Sequence, residues 1–167
     1  MRTSPWLKVI GWSEVLGGAA GFVLLPVTLM QQRQPGFPPG GRVPPAWYAM
    51  GAVAFAASLV AGVLLLRGRP LGARLSAGLQ ALQVVQVGTQ AFVYQYVTGL
   101  QVLLLVTPGG WRLSPGVNVG FAALPPPGPY PAWSLGINFF ALAALAVLLR
   151  GGATAAPRPG APPAPSP

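Results

Sequence analysis

An apolar run without a charged side chain, at residues 46–66, constrains most strongly what this chain can fold into. A helix of these 21 residues would be about 32 Å long, enough to cross the hydrocarbon core of a bilayer. Trp47 and Tyr48 lie at the start of the run, and aromatic side chains are typical of a membrane interface. The run therefore predicts a transmembrane helix.

The composition of the chain agrees with this prediction. Only 7% of its 167 residues are charged and 53% are hydrophobic, whereas a soluble domain carries about 25% charged residues. So few charges cannot cover a surface that faces water. The many Ala, Gly, Pro and Arg residues and the scarcity of Lys are typical of a GC-rich genome. We therefore predict an integral protein of a bacterial inner membrane, surrounded by the lipid bilayer.

Three further apolar segments are long enough to span a membrane. We therefore predict an all-α integral membrane protein in which residues 1–150 form a four-transmembrane-helix bundle. Residues 151–167, rich in Ala, Pro and Gly, are expected to be a disordered cytoplasmic tail, and the Pro- and Gly-rich residues 31–45 a loop. The predicted spans cover residues 9–30, 46–66, 75–100 and 132–149.

The first span has a competing interpretation as a cleaved signal peptide. Arg2 and Lys8 precede the apolar stretch, and small residues follow between Gly17 and Gly21. Glu14 interrupts the stretch, however, and the apolar run continues beyond any cleavage point, so we favour a span. The spacing of Gly17 and Gly21 suits close helix packing, although a glycine-rich segment without a specific partner would have the same sequence.

Between the third and fourth predicted spans the pattern changes to that of β-structure. Residues 108–110, Pro-Gly-Gly, are a turn sequence, and apolar side chains alternate at Val117, Val119 and Phe121. We predict a small extracytoplasmic β-hairpin over residues 100–124. The alternative is an irregular loop that packs on the mouth of the helical bundle.

The distribution of basic residues predicts the orientation. With four spans, Arg33, Arg42 and Arg112 lie on one side of the membrane and the other seven basic residues lie with the termini. Positive residues are retained in the cytoplasm, so both termini are predicted to be cytoplasmic. The same rule explains the net charge of +9 without a nucleic-acid partner, because the basic residues form no cluster. The seven are Arg2, Lys8, Arg67, Arg69, Arg74, Arg150 and Arg158.

Polar side chains form a stripe on the third predicted helix. Amides cannot face lipid, so this helix is predicted to be the inner wall of the bundle. The stripe either cross-links the helices or lines a polar cavity, to which Asn138 of the fourth helix would contribute. At 100° per residue, one face of the helix holds Ser76, Gln80, Gln83, Gln90, Tyr94 and Gln101, with Gln86 beside them.

Glu14 is the candidate with the clearest chemistry, because a carboxylate within a span is costly unless it is paired, hydrated or protonated. It can form a structural ion pair with Arg74, reach the interface, or serve as a proton- or substrate-coupling acid. We favour the ion pair. The candidate polar interior or ligand face therefore comprises Glu14, Arg74, Gln80, Gln83, Gln86, Gln90, Tyr94 and Asn138.

Missing residue types exclude several functions. The chain has no cysteine, histidine or aspartate, and Glu14 is its only acidic residue. Thiolate and imidazole metal sites, haem ligation by these side chains, catalytic triads and paired carboxylates therefore cannot form. We expect a protein that is not an enzyme and that uses no cofactor or metal.

Four motifs lie in or beside the predicted helices: G-W-S-E-V-L-G-G, L-L-L-R-G-R-P-L-G, R-L-S-A-G-L-Q-A-L-Q and G-I-N-F-F. Together they resemble an uncharacterised family of short four-span bacterial membrane proteins, which implies a membrane bundle but no activity. The motif S-E-V-L-G-G around Glu14 is also similar to small multidrug-resistance transporters, which are four-span proteins with an acid in the first helix.

Two functions follow as expectations. The first is a non-enzymatic structural or accessory protein of the membrane, which partners a larger membrane complex or forms a homo-oligomer through its small-residue helix faces. The second is a small transporter or ligand-binding bundle that uses Glu14 and the glutamine face of the third helix.

Overall fold

The computed structural model describes residues 4–34, 44–124 and 132–153. A proline begins each of the first three helices, where its missing N–H is not needed for helix hydrogen bonds. The predicted loop at residues 31–45 and the predicted tail at residues 151–167 lie largely outside the described residues. The elements are α1 (Pro5–Gln32), α2 (Pro45–Leu66), α3 (Pro70–Val84), β1 (Val85–Thr89), β2 (Val93–Thr107), β3 (Gly110–Leu124), β4 (Trp133–Asn138) and α4 (Phe139–Ala153).

The prediction of an all-α four-span bundle is wrong. Within the described residues, only α1 and α2 are long and apolar enough to cross a membrane. The helices α3 and α4 have 15 residues each and would measure about 23 Å, which is short of a hydrocarbon core of about 30 Å. Four strands in an antiparallel sheet lie between these two short helices in the chain.

The third predicted span, residues 75–100, changes from helix to strand near its middle. Helix α3 ends at Val84, and Val85 has the extended angles φ −115° and ψ 135°. The next residues are mostly β-branched and alternate in burial, with Gln86 buried and Val87 exposed. This period of two replaces the helical period that the glutamine spacing had indicated.

The fourth predicted span, residues 132–149, is also wrong in its first part. Its first third is strand β4, which pairs with β1 from Trp133 to Ile137. The alternating burial of Trp133–Asn138 is that of a strand with one buried face. Helix α4 begins only after Asn138, which leaves it too short to span.

The structure contains a hairpin with its turn at Pro108 and Gly109, and it is larger than predicted. Strands β2 and β3 pair in antiparallel register from Val93 with Leu124 to Thr107 with Gly110. The pairing therefore begins well before residue 100, inside the segment that we predicted to be the third span. Strong β-propensity in the run Val-Tyr-Gln-Tyr-Val-Thr explains the longer strand.

Strands β1, β2 and β4 each pair with the other two, and β3 pairs with β2 along its length. Strand β1 pairs with both β2 and β4, and β4 also pairs with β2, always antiparallel. These pairings require the two ends of β2 to run in opposite directions, so the strand must bend. Gly99 lies in the middle of β2 with φ +92°, and a Cβ there would collide with Ser13 of α1. The bend therefore rests against α1.

Glycines also bring α1 close to its neighbours. A Cβ on Gly18 would lie 2.7 Å from the carbonyl oxygen of Phe55, so the backbones of α1 and α2 nearly touch. Gly17 lies against the backbone of Gly99, and Gly21 lies against the ring of Phe55. The small residues of α1 thus face two different elements, the bend of β2 and helix α2.

Candidate functional site

A group of buried polar side chains lies where α1, α2, α3 and β2 meet. We call it the polar cluster, and each of its members is at most 2% exposed. Buried polar groups cost free energy unless they are hydrogen-bonded, so their partners determine what the cluster can do. The members are Glu14, Ser58, Ser76, Gln80, Gln83, Tyr96 and Thr98.

Glu14 forms one half of the polar cluster together with two side chains of α3. The hydroxyl of Ser76 donates to Oε2 at 2.6 Å, and Nε2 of Gln80 donates to Oε1 at 3.0 Å. The two donors are four residues apart and so lie on the same face of the helix. Both carboxyl oxygens are engaged, and this connects α1 to α3.

The predicted ion pair between Glu14 and Arg74 does not form. Arg74 is exposed, and within the described residues Glu14 makes no salt bridge. Arg74 precedes Ser76 by two residues, which places it about 200° around the helix axis, on the opposite face of α3. The neutral donors of α3 therefore take the place that we had assigned to the guanidinium.

The other half of the polar cluster is a chain of hydrogen bonds with a defined direction. The backbone N–H of Thr98 donates to Oε1 of Gln83 at 2.9 Å, so Nε2 of Gln83 is the atom that donates to Oγ1 of Thr98 at 3.1 Å. Thr98 and Tyr96 each contact Oγ of Ser58, at 3.1 Å and 2.8 Å. The Tyr96 hydroxyl donates to the carbonyl oxygen of Ala54 at 3.1 Å.

The groups at the two ends of this series of hydrogen bonds determine which hydroxyl donates and which accepts at each step. An amide nitrogen can only donate and a carbonyl oxygen can only accept, so Thr98 donates to Ser58 and Ser58 donates to Tyr96. Burial raises the pKa of the Tyr96 hydroxyl above its ordinary value, which keeps the hydroxyl protonated as the last donor. Every hydroxyl then gives one hydrogen bond and accepts one.

Of the remaining predicted site residues, Tyr94 packs against the apolar group that contains Tyr96, and the others lie outside the polar cluster. Gln90 is exposed in the turn between β1 and β2. Asn138 is fully buried at the start of α4, where its Oδ1 accepts from two backbone N–H groups, one in β2 and one in α4. Tyr94 donates to the carbonyl oxygen of Leu82 at 2.7 Å, and Gln86 is buried in β1. The predicted single face is thus divided among several places.

Gln86 and Tyr94 line a second polar region, a pocket of about 220 Å³ on one face of the sheet, which we call the sheet pocket. Two buried atoms there have no hydrogen-bond partner among the described residues: Nε2 of Gln86 and Oε1 of Gln101. The two side chains are 6% and 7% exposed. Other polar residues of the pocket are Gln95, Arg112, Ser114, Asn118 and Ser134.

Comparison with protein-family models, with curated proteins and with solved structures finds no match to this chain. The function must therefore be inferred from these two regions and from the surface around them.

The sequence interpretation missed three members of the polar cluster: Ser58, Tyr96 and Thr98. Ser58 is the only serine or threonine in the apolar run at residues 46–66, and that isolation was a usable indication of an inward-facing contact. Tyr96 and Thr98 are two residues apart in a strand and therefore share a face, which a helical interpretation of this segment conceals.

Proposed function

We propose that this chain is a non-enzymatic integral membrane protein, a structural or accessory component anchored in a bacterial inner membrane by α1 and α2. The observation that carries the proposal is the orientation of side chains on these two helices. Val23 of α1 and Val53 of α2 are 66% and 69% exposed, whereas Glu14 and Ser58 on the same helices have no exposed surface. Apolar side chains outside and polar ones inside are the arrangement that lipid requires.

Apolar side chains are also exposed on the sheet. Leu100 and Val117 are paired neighbours on β2 and β3, and Val117 is 75% exposed. Leu113 is exposed on the same face of β3. Exposed apolar side chains that share a face are typical of contact with a membrane or with another protein, which supports both parts of the proposal.

The polar cluster supports a role without catalysis. Its one carboxyl group accepts from a serine and an amide, and its hydroxyls are occupied by one another. The chain has no histidine, no cysteine and no second carboxylate side chain to exchange a proton with Glu14. Such a network joins elements, as interhelical hydrogen bonds do in membrane proteins at about 0.6 kcal/mol each.

The distribution of charge supports an orientation for the anchor. Of the ten basic residues, only Arg33 and Arg42 lie between α1 and α2. Two spans place the rest on the side of the N-terminus, and the positive-inside rule then assigns both termini to the cytoplasm. The composition of a GC-rich genome supports a bacterial source.

Cysteine accessibility tests the anchor, because the natural chain has no cysteine to give a background. We expect Val53→Cys to resist a membrane-impermeant maleimide in native vesicles and to react after denaturation. Arg69→Cys, at the exposed turn between α2 and α3, is the matched control and should react only when the cytoplasmic face is accessible. Equal labelling of Val53→Cys and Arg69→Cys in native vesicles would contradict insertion.

Native extraction tests the accessory role. The full chain would be extracted from its own membranes, and everything that stays bound would be identified by mass spectrometry. A stoichiometric membrane-protein partner is expected. Recovery of this chain alone, either as a monomer or with a small molecule retained, would contradict the accessory role.

The second candidate is a transporter or ligand-binding bundle built around Glu14. The observation that favours it is a buried acid that has no cationic partner in residues 4–34, 44–124 and 132–153, beside Oε1 of Gln80, which has no hydrogen-bond partner there either. The stability of Glu14 variants distinguishes this candidate from the structural one, as described in the Discussion.

A further inference from the structure

We infer that the sheet pocket binds a small carboxylic acid that also carries peptide-like amide groups, about the size of an acylated dipeptide. The inference does not depend on the membrane role. It follows from the chemistry of three side chains of the pocket, Gln86, Gln101 and Arg112, and from the volume that they border.

The strand register places polar side chains from separate strands on one face. Gln86 of β1 pairs with Gly136 of β4, which pairs with Leu105 of β2, which pairs with Arg112 of β3. These four residues form one row across the sheet, and Gln101 lies on the same face because it is four residues from Leu105. Gly136 has no side chain of its own, and the side chains of Leu103 and Gln86 pack over it, so the two polar ends of the row border the pocket together with apolar side chains of β2.

The unpartnered atoms of the pocket are complementary to an amide. Nε2 of Gln86 requires a hydrogen-bond acceptor, and Oε1 of Gln101 requires a donor. Within the described residues the protein supplies neither partner, so the hydrogen bonds of these two atoms fall to whatever enters the pocket. A ligand with amide C=O and N–H groups supplies both partners.

Arg112 adds a requirement for negative charge. Glu14 is the only acidic residue of the chain, and it is fully buried in the polar cluster. The guanidinium of Arg112 therefore has no carboxylate side chain within the chain to pair with. A ligand carboxylate would give a charge-assisted hydrogen bond, the strongest kind that this pocket can offer.

The volume limits the size of the ligand. About 220 Å³ holds roughly seven water molecules at about 30 Å³ each, which is less than the 300–1,000 Å³ of pockets for drug-sized molecules. An acylated dipeptide combines one carboxylate with two amides in a short chain. A peptide C-terminus has the same chemistry and is the second possible source of the ligand.

Calorimetric titration of the full chain in detergent tests the inference with N-acetyl-glycylglycine as the probe. Its amide, N-acetyl-glycylglycinamide, has the same shape without the charge. We expect the acid to bind about tenfold more tightly than the amide, and Arg112→Gln to abolish this difference. Gln101→Leu should weaken both probes by about tenfold, because each loses the same acceptor.

Arg74→Gln is the matched control, because Arg74 is an exposed arginine outside the pocket. It should leave the affinity for both probes unchanged. An octapeptide that ends in Gly-Gly separates the two sources: binding as tight as that of the acid assigns the site to a chain end, and failure to bind assigns it to a free small molecule. Absence of binding by the acid at about 10 mM, or equal losses in Arg74→Gln and Arg112→Gln, would overturn the inference.

Discussion

The polar cluster and the sheet pocket both contain buried glutamine side chains, but these differ in their hydrogen-bond partners. In the cluster, Gln83 uses both ends of its amide on Thr98, and the hydroxyls continue the chain of hydrogen bonds. In the pocket, Gln86 and Gln101 are also buried, but each has an amide atom without a partner. In the part of the chain that the structure describes, Oε1 of Gln80 is the one buried side-chain atom of the cluster without a partner, whereas both buried glutamines of the pocket carry such an atom.

This difference shows why a count of polar residues does not identify a site. Gln80, Gln83 and Gln86 are equally spaced in the sequence and equally plausible as cavity residues. What distinguishes them is whether a neighbouring element offers a partner, since a satisfied amide stabilises the fold and an unsatisfied one destabilises it. Substitutions that remove polar groups should therefore have opposite effects in the two regions.

The largest effect is expected for Gly99→Ala, because Gly99 lies between the two regions. Its φ of +92° is unfavourable for a residue with a Cβ, and the added methyl would collide with Ser13 of α1. We expect a loss of at least about 3 kcal/mol in unfolding free energy, measured by chemical unfolding in mixed micelles. The polar cluster and the sheet pocket would be lost together.

Gly78→Ala is the matched control for this change. A Cβ at Gly78 meets nothing within 4 Å, and the residue lies inside helix α3. Alanine there should stabilise the protein by about 1 kcal/mol, since glycine is the poorer helix former. If both alanine variants were equally stable, β2 would not bend against α1 as described.

The next largest loss of stability is expected for substitutions of Glu14, which test the polar cluster. Glu14→Leu leaves the Ser76 hydroxyl and the Gln80 amide without their acceptor, and we expect a loss of about 3 kcal/mol. Glu14→Gln keeps the size of the side chain, and its amide oxygen can accept from Gln80 while its NH2 group donates to the Ser76 oxygen, so the loss should stay below about 1 kcal/mol. Unfolding in mixed micelles measures both values.

The opposite result would favour the second candidate function. If Glu14→Leu were as stable as the natural protein, the carboxyl group would not be needed to join α1 and α3. The fold would then bury an acid without structural benefit, which is characteristic of a group that binds a proton or a substrate.

The sequence predicted the two long apolar helices better than it predicted the elements after them. Helix α2 matches the predicted span at residues 46–66 closely, because an uncharged run of that length has few other stable structures. The turn at Pro108 and Gly109 was also recognisable from local chemistry. These features depend on residues that are near one another in the chain.

The elements that were missed depend on pairing between distant segments. An apolar run such as residues 84–89 suits a buried helix or a strand, and only its pairing with β4, nearly fifty residues later, determines which one forms. The partners of Glu14 are likewise more than sixty residues away in the sequence. A guanidinium would bind the Glu14 carboxyl more strongly than a hydroxyl does. Ser76 binds it instead, because Arg74 lies on the opposite face of α3.

The smallest effects give the most direct comparison of the two regions, because one substitution can be made in both. Gln83→Leu removes the acceptor of the buried Thr98 N–H and the donor to its hydroxyl, so we expect a loss of about 2 kcal/mol. Gln101→Leu removes an amide whose Oε1 has no partner, and stability should stay the same or rise by up to about 1 kcal/mol. Both are measured by unfolding without ligand.

The sign of the change in unfolding free energy for Gln101→Leu shows whether Gln101 is a structural residue. Both glutamines are buried to a similar extent, so the gain from adding an apolar side chain is comparable, and the difference between the variants reports the hydrogen bonds alone. If Gln101→Leu lost as much stability as Gln83→Leu, Gln101 would be a structural residue and the pocket would need no ligand. If only Gln83→Leu is destabilised, Gln101 does not stabilise the fold, and the result supports a role for its amide in binding.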